Sequence, residues 1–143
     1  MFWKPISKEE EFKITRAIAE AEKGTSGEIR VHIDRYCKTD PLLKSRNLFV
    51  HLKMDQTDLH NGVLIYVSVD DKKYAILGDK GINDLVEDGF WDSTSSKMAE
   101  GFKSGSIAAG IVAGVMEAGN RLKEYFPRQD NDKNELSDEI SYS

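Results

Sequence analysis

The sequence predicts an α/β protein, a three-layer α/β/α sandwich around a small mixed sheet. Three observations carry that expectation. Apolar residues recur at helical spacing near both ends of the 143-residue chain. Between them, Glu28 to Asp34 alternates polar and apolar side chains, as a half-buried strand does. Gly62 to Val69 is nearly continuous in apolar residues, as in a central strand covered on both faces. A sheet met by helices from both termini can bury each face under a helical layer.

The elements follow in chain order. Ser7-x-x-Glu10 is a capping box with Pro5 just upstream, and Ile14, Ala17, Ile18 and Ala21 continue it as a helix that Gly24 stops. In the first strand Ile29, Val31 and Ile33 face one way, and Glu28, Arg30, His32 and Asp34 the other. Asp40-Pro41 starts a second helix whose buried residues include Leu42, Leu48, Phe49 and Leu52. After the second strand, Asp70-Asp71-Lys72 turns the chain, and Lys73 to Gly78 returns as a hairpin partner. Trp91, Ser95, Met98 and Phe102 form one helical stripe. Ser106 then caps a last helix with Ile107, Ile111, Val115, Ala118, Leu122 and Phe126 along one side. Its Gly110-x-x-x-Gly114 spacing predicts close packing of this helix against the sheet.

Length and composition bound the function. The chain is one domain's worth, and 39% hydrophobic residues supply a core. Twenty-five acids against 20 bases leave a net charge of −5, which excludes a general nucleic-acid binder, since that needs a basic face. The single cysteine, Cys37, excludes a disulfide framework and a cysteine-rich zinc ribbon. No apolar stretch of signal-peptide length follows Met1, and the run from Ile107 to Met116 is shorter than the roughly 20 residues a membrane span needs. A cytoplasmic monomer without membrane contact is expected. Residues 1–127 make the folded domain; residues 128–143 form an acidic tail carrying −3 of the −5, with Leu136, Ile140 and Tyr142 able to dock it.

Topology indicates which loops meet. Two strands joined by a helical crossover run parallel, and the hairpin strand returns antiparallel. One sheet edge therefore gathers Thr25-Ser26-Gly27-Glu28, His60-Asn61-Gly62 and Gly78-Asp79-Lys80-Gly81, and the acidic stretch from Asn83 to Asp92 feeds into it. The other edge gathers Asp34, Asp70 and Asp71. Carboxylates mixed with carbonyls are the ligands of calcium or magnesium, and irregular loops suit calcium's flexible coordination better than magnesium's octahedron.

Four stretches also carry a family resemblance. Thr25-Ser26-Gly27-Glu28-Ile29-Arg30-Val31, Asn61-Gly62-Val63-Leu64-Ile65, the hairpin Asp71-Lys72-Lys73 with Ile76-Leu77-Gly78, and Phe102-Lys103-Ser104-Gly105 with the helix from Ile107 occur in that order. They resemble the motifs of the TPM domain, named for thylakoid-lumen, photosystem-repair and receptor-modulating proteins, and the ending after Tyr125-Phe126-Pro127 resembles a soluble bacterial subgroup. The resemblance implies an α/β/α sandwich, divalent-cation binding, most often calcium, and in some members acid phosphatase activity. It places the metal ligands at Glu28, Asn61 and Asp79. Asp88 sits near a further acidic position, in a longer segment where Asp84 or Asp92 can fill the same role.

The residues narrow any catalysis. Cys37 has Leu43 where a phosphate-binding cysteine loop needs arginine, and no D-x-D motif follows a buried strand. A phosphomonoesterase built on this chain would work through metal-activated water. His32, His51 and His60 lack paired metal-ligand spacing. Asp130-x-Asp132-x-Asn134 begins like an EF-hand loop, but Glu135 and Ser141 stand where its glycine and final glutamate belong. A non-enzymatic module that meets a protein partner through its acidic tail or an apolar surface is the alternative reading.

Overall fold

A computed structural model describes residues 3–129 and 133–143. Its helices are α1 (Lys8–Glu22), α2 (Pro41–His51), α3 (Lys80–Asn83), α4 (Asp92–Ser104) and α5 (Ile107–Tyr125), and its strands are β1 (Glu28–Asp34), β2 (Gly62–Ser68), β3 (Lys73–Gly78) and β4 (Ser141–Tyr142). A single 3-10 turn, Met54–Gln56, precedes β2. The sheet order is β3-β2-β1-β4, with β1 parallel to β2 and to β4, and β3 antiparallel to β2. The sandwich and its mixed sheet are as expected. α3 and β4 lack the length for a readable period.

Caps form where the sequence places them. Ser7 and Glu10 exchange hydrogen bonds with each other's backbone amides at 3.1 and 2.9 Å. Ser106 Oγ accepts the Ala109 amide at 3.1 Å, starting α5. One core lies between the sheet and α1, α4 and α5, around Ile14, Ile18, Ile29, Val31, Ile65, Met98 and Ile111. The smaller core under α2 holds Leu48, Phe49, Met54, Leu64 and Tyr66, so both faces of β2 are buried.

Two expectations are corrected. The glycine pair of α5 packs on α4, not on the sheet: a Cβ at Gly110 would overlap the Phe102 ring, and one at Gly114 would lie 2.5 Å from Met98 Cγ. Bare backbone at these turns lets the two helices approach closely. Strand β1 is also not half-buried. Glu28, His32 and Asp34 are each at most 3% exposed, and only Arg30 of its polar face reaches water.

The cover on that face comes partly from the chain's end. Residues 133–143 return to β1; β4 pairs with it, and Leu136 packs in the smaller core while Ile140 packs against the larger one. Thr25 bridges to Pro127, its hydroxyl hydrogen-bonded to the Phe126 carbonyl, and this clips the exit of α5 to the entry of β1. No helix among the described residues is long and apolar enough to cross a membrane.

Candidate functional site

The register places the predicted residues side by side. Glu28 pairs with Gly62, and Val63 with Gly78, so the starts of β1 and β2 and the end of β3 share one edge. Backbone bonds lock the three together: the Glu28 amide donates to the Asn61 carbonyl at 3.2 Å, and the Asp79 amide to the Gly62 carbonyl at 2.9 Å.

Asp79 caps α3. Its Oδ1 accepts the Lys80 amide at 2.7 Å, whereas Oδ2 is buried without a hydrogen bond, 3.4 Å from His60 Nδ1. Asn61 is buried; its Nδ2 donates to the Ser26 carbonyl at 3.2 Å, and among the described residues nothing hydrogen-bonds its Oδ1. Asp55 Oδ1 and Thr57 Oγ1, in the segment leading into β2, are likewise buried and unpartnered. Among the described residues, the buried carboxylate oxygens without a hydrogen-bond partner are those of Asp55 and Asp79. Between them His60 holds left-handed backbone, φ 48°, a conformation that costs a non-glycine residue about 1 kcal/mol or more.

Glu28 is differently placed. Its Oε1 accepts the Leu136 amide of the tail at 2.6 Å. Burial pushes its carboxyl up to about 7, against the amides of Leu136 and Glu135, with the charges of Glu135 and Asp138 adding to the rise. Next to it Glu22, at the end of α1, accepts the Ile29 amide at 2.9 Å. Burial, then a hydrogen bond with Asp138, pushes Glu22 up to about 9, so it is protonated at neutral pH and donates to Asp138. Sequence reasoning missed Glu22, Asp55 and Thr57. Glu22 was findable, because it extends the Ile14, Ile18 spacing by one more turn.

Asp88 and Asp92 are exposed, in a hollow of about 340 Å3 formed by the turn before α4. Among the described residues, no hydrogen bond or ion pair joins either to Glu28, Asn61 or Asp79, and no three His, Cys, Asp or Glu side chains are grouped to hold a metal. Asp84 is exposed at the end of α3. Asp130 and Asp132 lie outside the described residues.

The opposite edge is saturated. Asp34 accepts from Tyr66 at 2.6 Å, from His32 Nε2 at 2.9 Å and from Ser143. Burial alone would raise its carboxyl; the hydrogen bonds from Ser143, Tyr66 and His32 overcome that and hold it below the usual range. Burial pushes His32 down, so it is neutral, with its proton on the Nε2 that faces Asp34 and with Nδ1 accepting from Ser141 at 2.7 Å. Asp71 accepts from the Cys37 amide and Ser68, and Asp70 from Arg35. Carboxylates there are spent on protein partners.

Solved structures resemble this arrangement. The NMR structure of the BA42 protein from the psychrophilic bacterium Bizionia argentinensis is 46% identical, with a TM-score of 0.93 over 100% of this chain and 99% of that one. The N-terminal domain of a P. gingivalis protein aligns with a TM-score of 0.69 at 17% identity, over 89% of this chain and 83% of that one. The N-terminal domain of the cg2496 protein from Corynebacterium glutamicum aligns at 0.65 and 13% identity, over 94% and 79%. These two show the shared fold. No curated protein matches the sequence. The TPM domain model matches residues 4–121, most of the chain, and the chain therefore belongs to the TPM domain family.

Proposed function

We propose that this TPM domain binds a divalent cation, calcium ahead of magnesium, at the edge formed by Glu28, Asn61 and Asp79. The observation that supports it is the buried Asp79 Oδ2 with no hydrogen-bond donor, when carboxylates on the opposite edge are all engaged. A buried carboxylate oxygen without a donor is costly, and a cation relieves that cost. The oxygens that would serve a hard cation here are those of Asp79 and the Asn61 amide, with Glu28 joining once ionised. Neutral oxygens beside few carboxylates suit a weak calcium site rather than a magnesium octahedron. Asp88 and Asp92 belong to the reading as outer acidic residues that draw the ion in.

A divalent cation held there supplies positive charge to an anionic substrate, which is the basis for proposing phosphomonoester hydrolysis as the associated activity. The chain's own residues position that charge: Asp79 is fixed by capping α3, and Asn61 by its bond to Ser26.

The test is a calcium and magnesium titration followed by backbone amide shifts, on the full chain and on Asp79→Asn, which keeps a capping oxygen. Saturable shifts at residues 26–28, 55–62 and 78–80 are expected, with affinity about tenfold or more weaker in the variant. Affinity should rise with pH through about 7 as Glu28 ionises. No saturable response, or shifts confined to Asp34, Asp70 and Asp71, overturns the reading. Phosphomonoester turnover that survives Asp79→Asn removes the catalytic extension alone.

A further inference from the structure

A second site lies at the far end of β2 and β3, away from the cation edge. A cavity of about 430 Å3 opens between the β2–β3 hairpin and the junction of α4 and α5. That volume is in the range of small-molecule sites, roughly 300–1,000 Å3. Its walls are Val69, Tyr74, Phe102 and Ile107, all partly buried and packed on the main core, so it is an unfilled margin of that core. Tyr74 and Phe102 meet edge to face at 5.4 Å, and Tyr74 is held by its hydroxyl's bond to the Ser95 carbonyl at 3.3 Å. The apolar wall is thus preformed.

Its rim carries one sign of charge. Lys72, Lys73 and Lys103 line the cavity and no acid does. Lys73 is engaged, donating to the Cys37 carbonyl at 3.1 Å. The side chains of Lys72 and Lys103 form no ion pair or hydrogen bond among the described residues. Of the acids of the turn, Asp70 pairs with Arg35, and Asp71 accepts from Cys37 and Ser68 and lies 4.0 Å from Lys73, which leaves Lys72 and Lys103 to face an anion. In a chain of net charge −5 this segregation is informative. The larger hollow between α1 and α5 mixes Glu9 and Glu10 with Lys13 and Arg16 and has no such polarity.

Lys72, on the rim, holds left-handed backbone, φ 53°, at the last position of the hairpin turn, where glycine is the unstrained residue.

We infer that this cavity binds a small amphiphilic anion: an alkyl chain against Phe102, Tyr74 and Ile107, with a carboxylate between Lys72 and Lys103. Chain burial supplies affinity and the two ammonium groups select the charged head.

The test uses decanoate below its micelle concentration, titrated into the full chain and followed by backbone amide shifts. Decanol and acetate serve as chain-only and head-only probes. Saturable shifts at residues 67–74 and 99–107 are expected, with decanol and acetate at least about tenfold weaker. Lys72→Gly should keep or raise Tm, because strain is relieved, and yet weaken decanoate several-fold. Lys103→Glu should weaken it by about tenfold. Asp79→Asn should leave decanoate binding intact, which separates this site from the cation edge. Equal affinity for decanol and decanoate, shifts elsewhere, or indifference to both lysine variants overturns the proposal. Binding to phosphatidylglycerol vesicles with no response to monomeric decanoate also overturns it, in favour of a lipid surface.

Discussion

The residues that matter at the edge of Glu28, Asn61 and Asp79 are polar groups, several with partners far along the chain. Glu22 is the sharpest case. Burial first, then Asp138, pushes its carboxyl up to about 9 from an ordinary 4.5. The native state therefore holds a proton that the unfolded chain releases above pH 4.5, and stability falls as pH rises from about 4.5 to about 9. The slope from this one group is at most about 1.4 kcal/mol per pH unit. Glu22→Gln keeps an acceptor for the Ile29 amide and a donor for Asp138 without the titration. It should flatten the pH dependence of Tm and raise Tm at pH 8; an unchanged slope between pH 5 and 8 would refute the shared proton. Glu28, Asn61 and Asp79 were legible in sequence because they follow or precede strand ends at glycine turns. Asp55 and Thr57 were not, since nothing in a single 3-10 turn marks which side chains face inward.

At the scale of elements, periodicity, caps and one continuous apolar run identified α1, β1, α2, β2, β3, α4 and α5, because burial leaves a regular pattern along each. Which neighbour was not legible. The α5 glycines were expected to face the sheet, yet they receive Phe102 and Met98 of α4. Gly110→Ala would force the Phe102 ring to move and should destabilise by about 1–3 kcal/mol. Gly114→Ala meets only a flexible methionine, so denaturant midpoints should show the smaller loss there; the reverse order would mean that α4 and α5 do not pack as described. Because Phe102 also walls the lysine-rimmed cavity, Gly110→Ala should weaken decanoate as well.

For the whole molecule, the decisive feature is the return of the tail. Ser141 and Ser143 reach His32 and Asp34, Tyr142 donates to Glu11 at 2.5 Å, Asp138 meets Glu22, and Leu136 donates to Glu28. These contacts join the acidic segment to β1 and complete the cover of its polar face. Truncation after Pro127 should cost about 2–4 kcal/mol, the net worth of several hydrogen bonds and two partly buried apolar side chains less the entropy regained by the tail. It should also speed amide exchange along β1; an unaltered exchange pattern would show that the tail contributes nothing to the sheet. The same truncation uncovers Glu28, whose carboxyl is raised chiefly by burial, so calcium affinity should then depend less on pH. Sequence by itself determined the α/β/α layers, the parallel and antiparallel pairings and the edge where Glu28, Asn61 and Asp79 meet, because local period and chain reversal dictate them. Only tertiary structure decided that β1 is buried on both faces, that Glu22 keeps a proton and that three lysines ring an apolar cavity. Each depends on side chains tens of residues apart being desolvated together, and no local pattern records that.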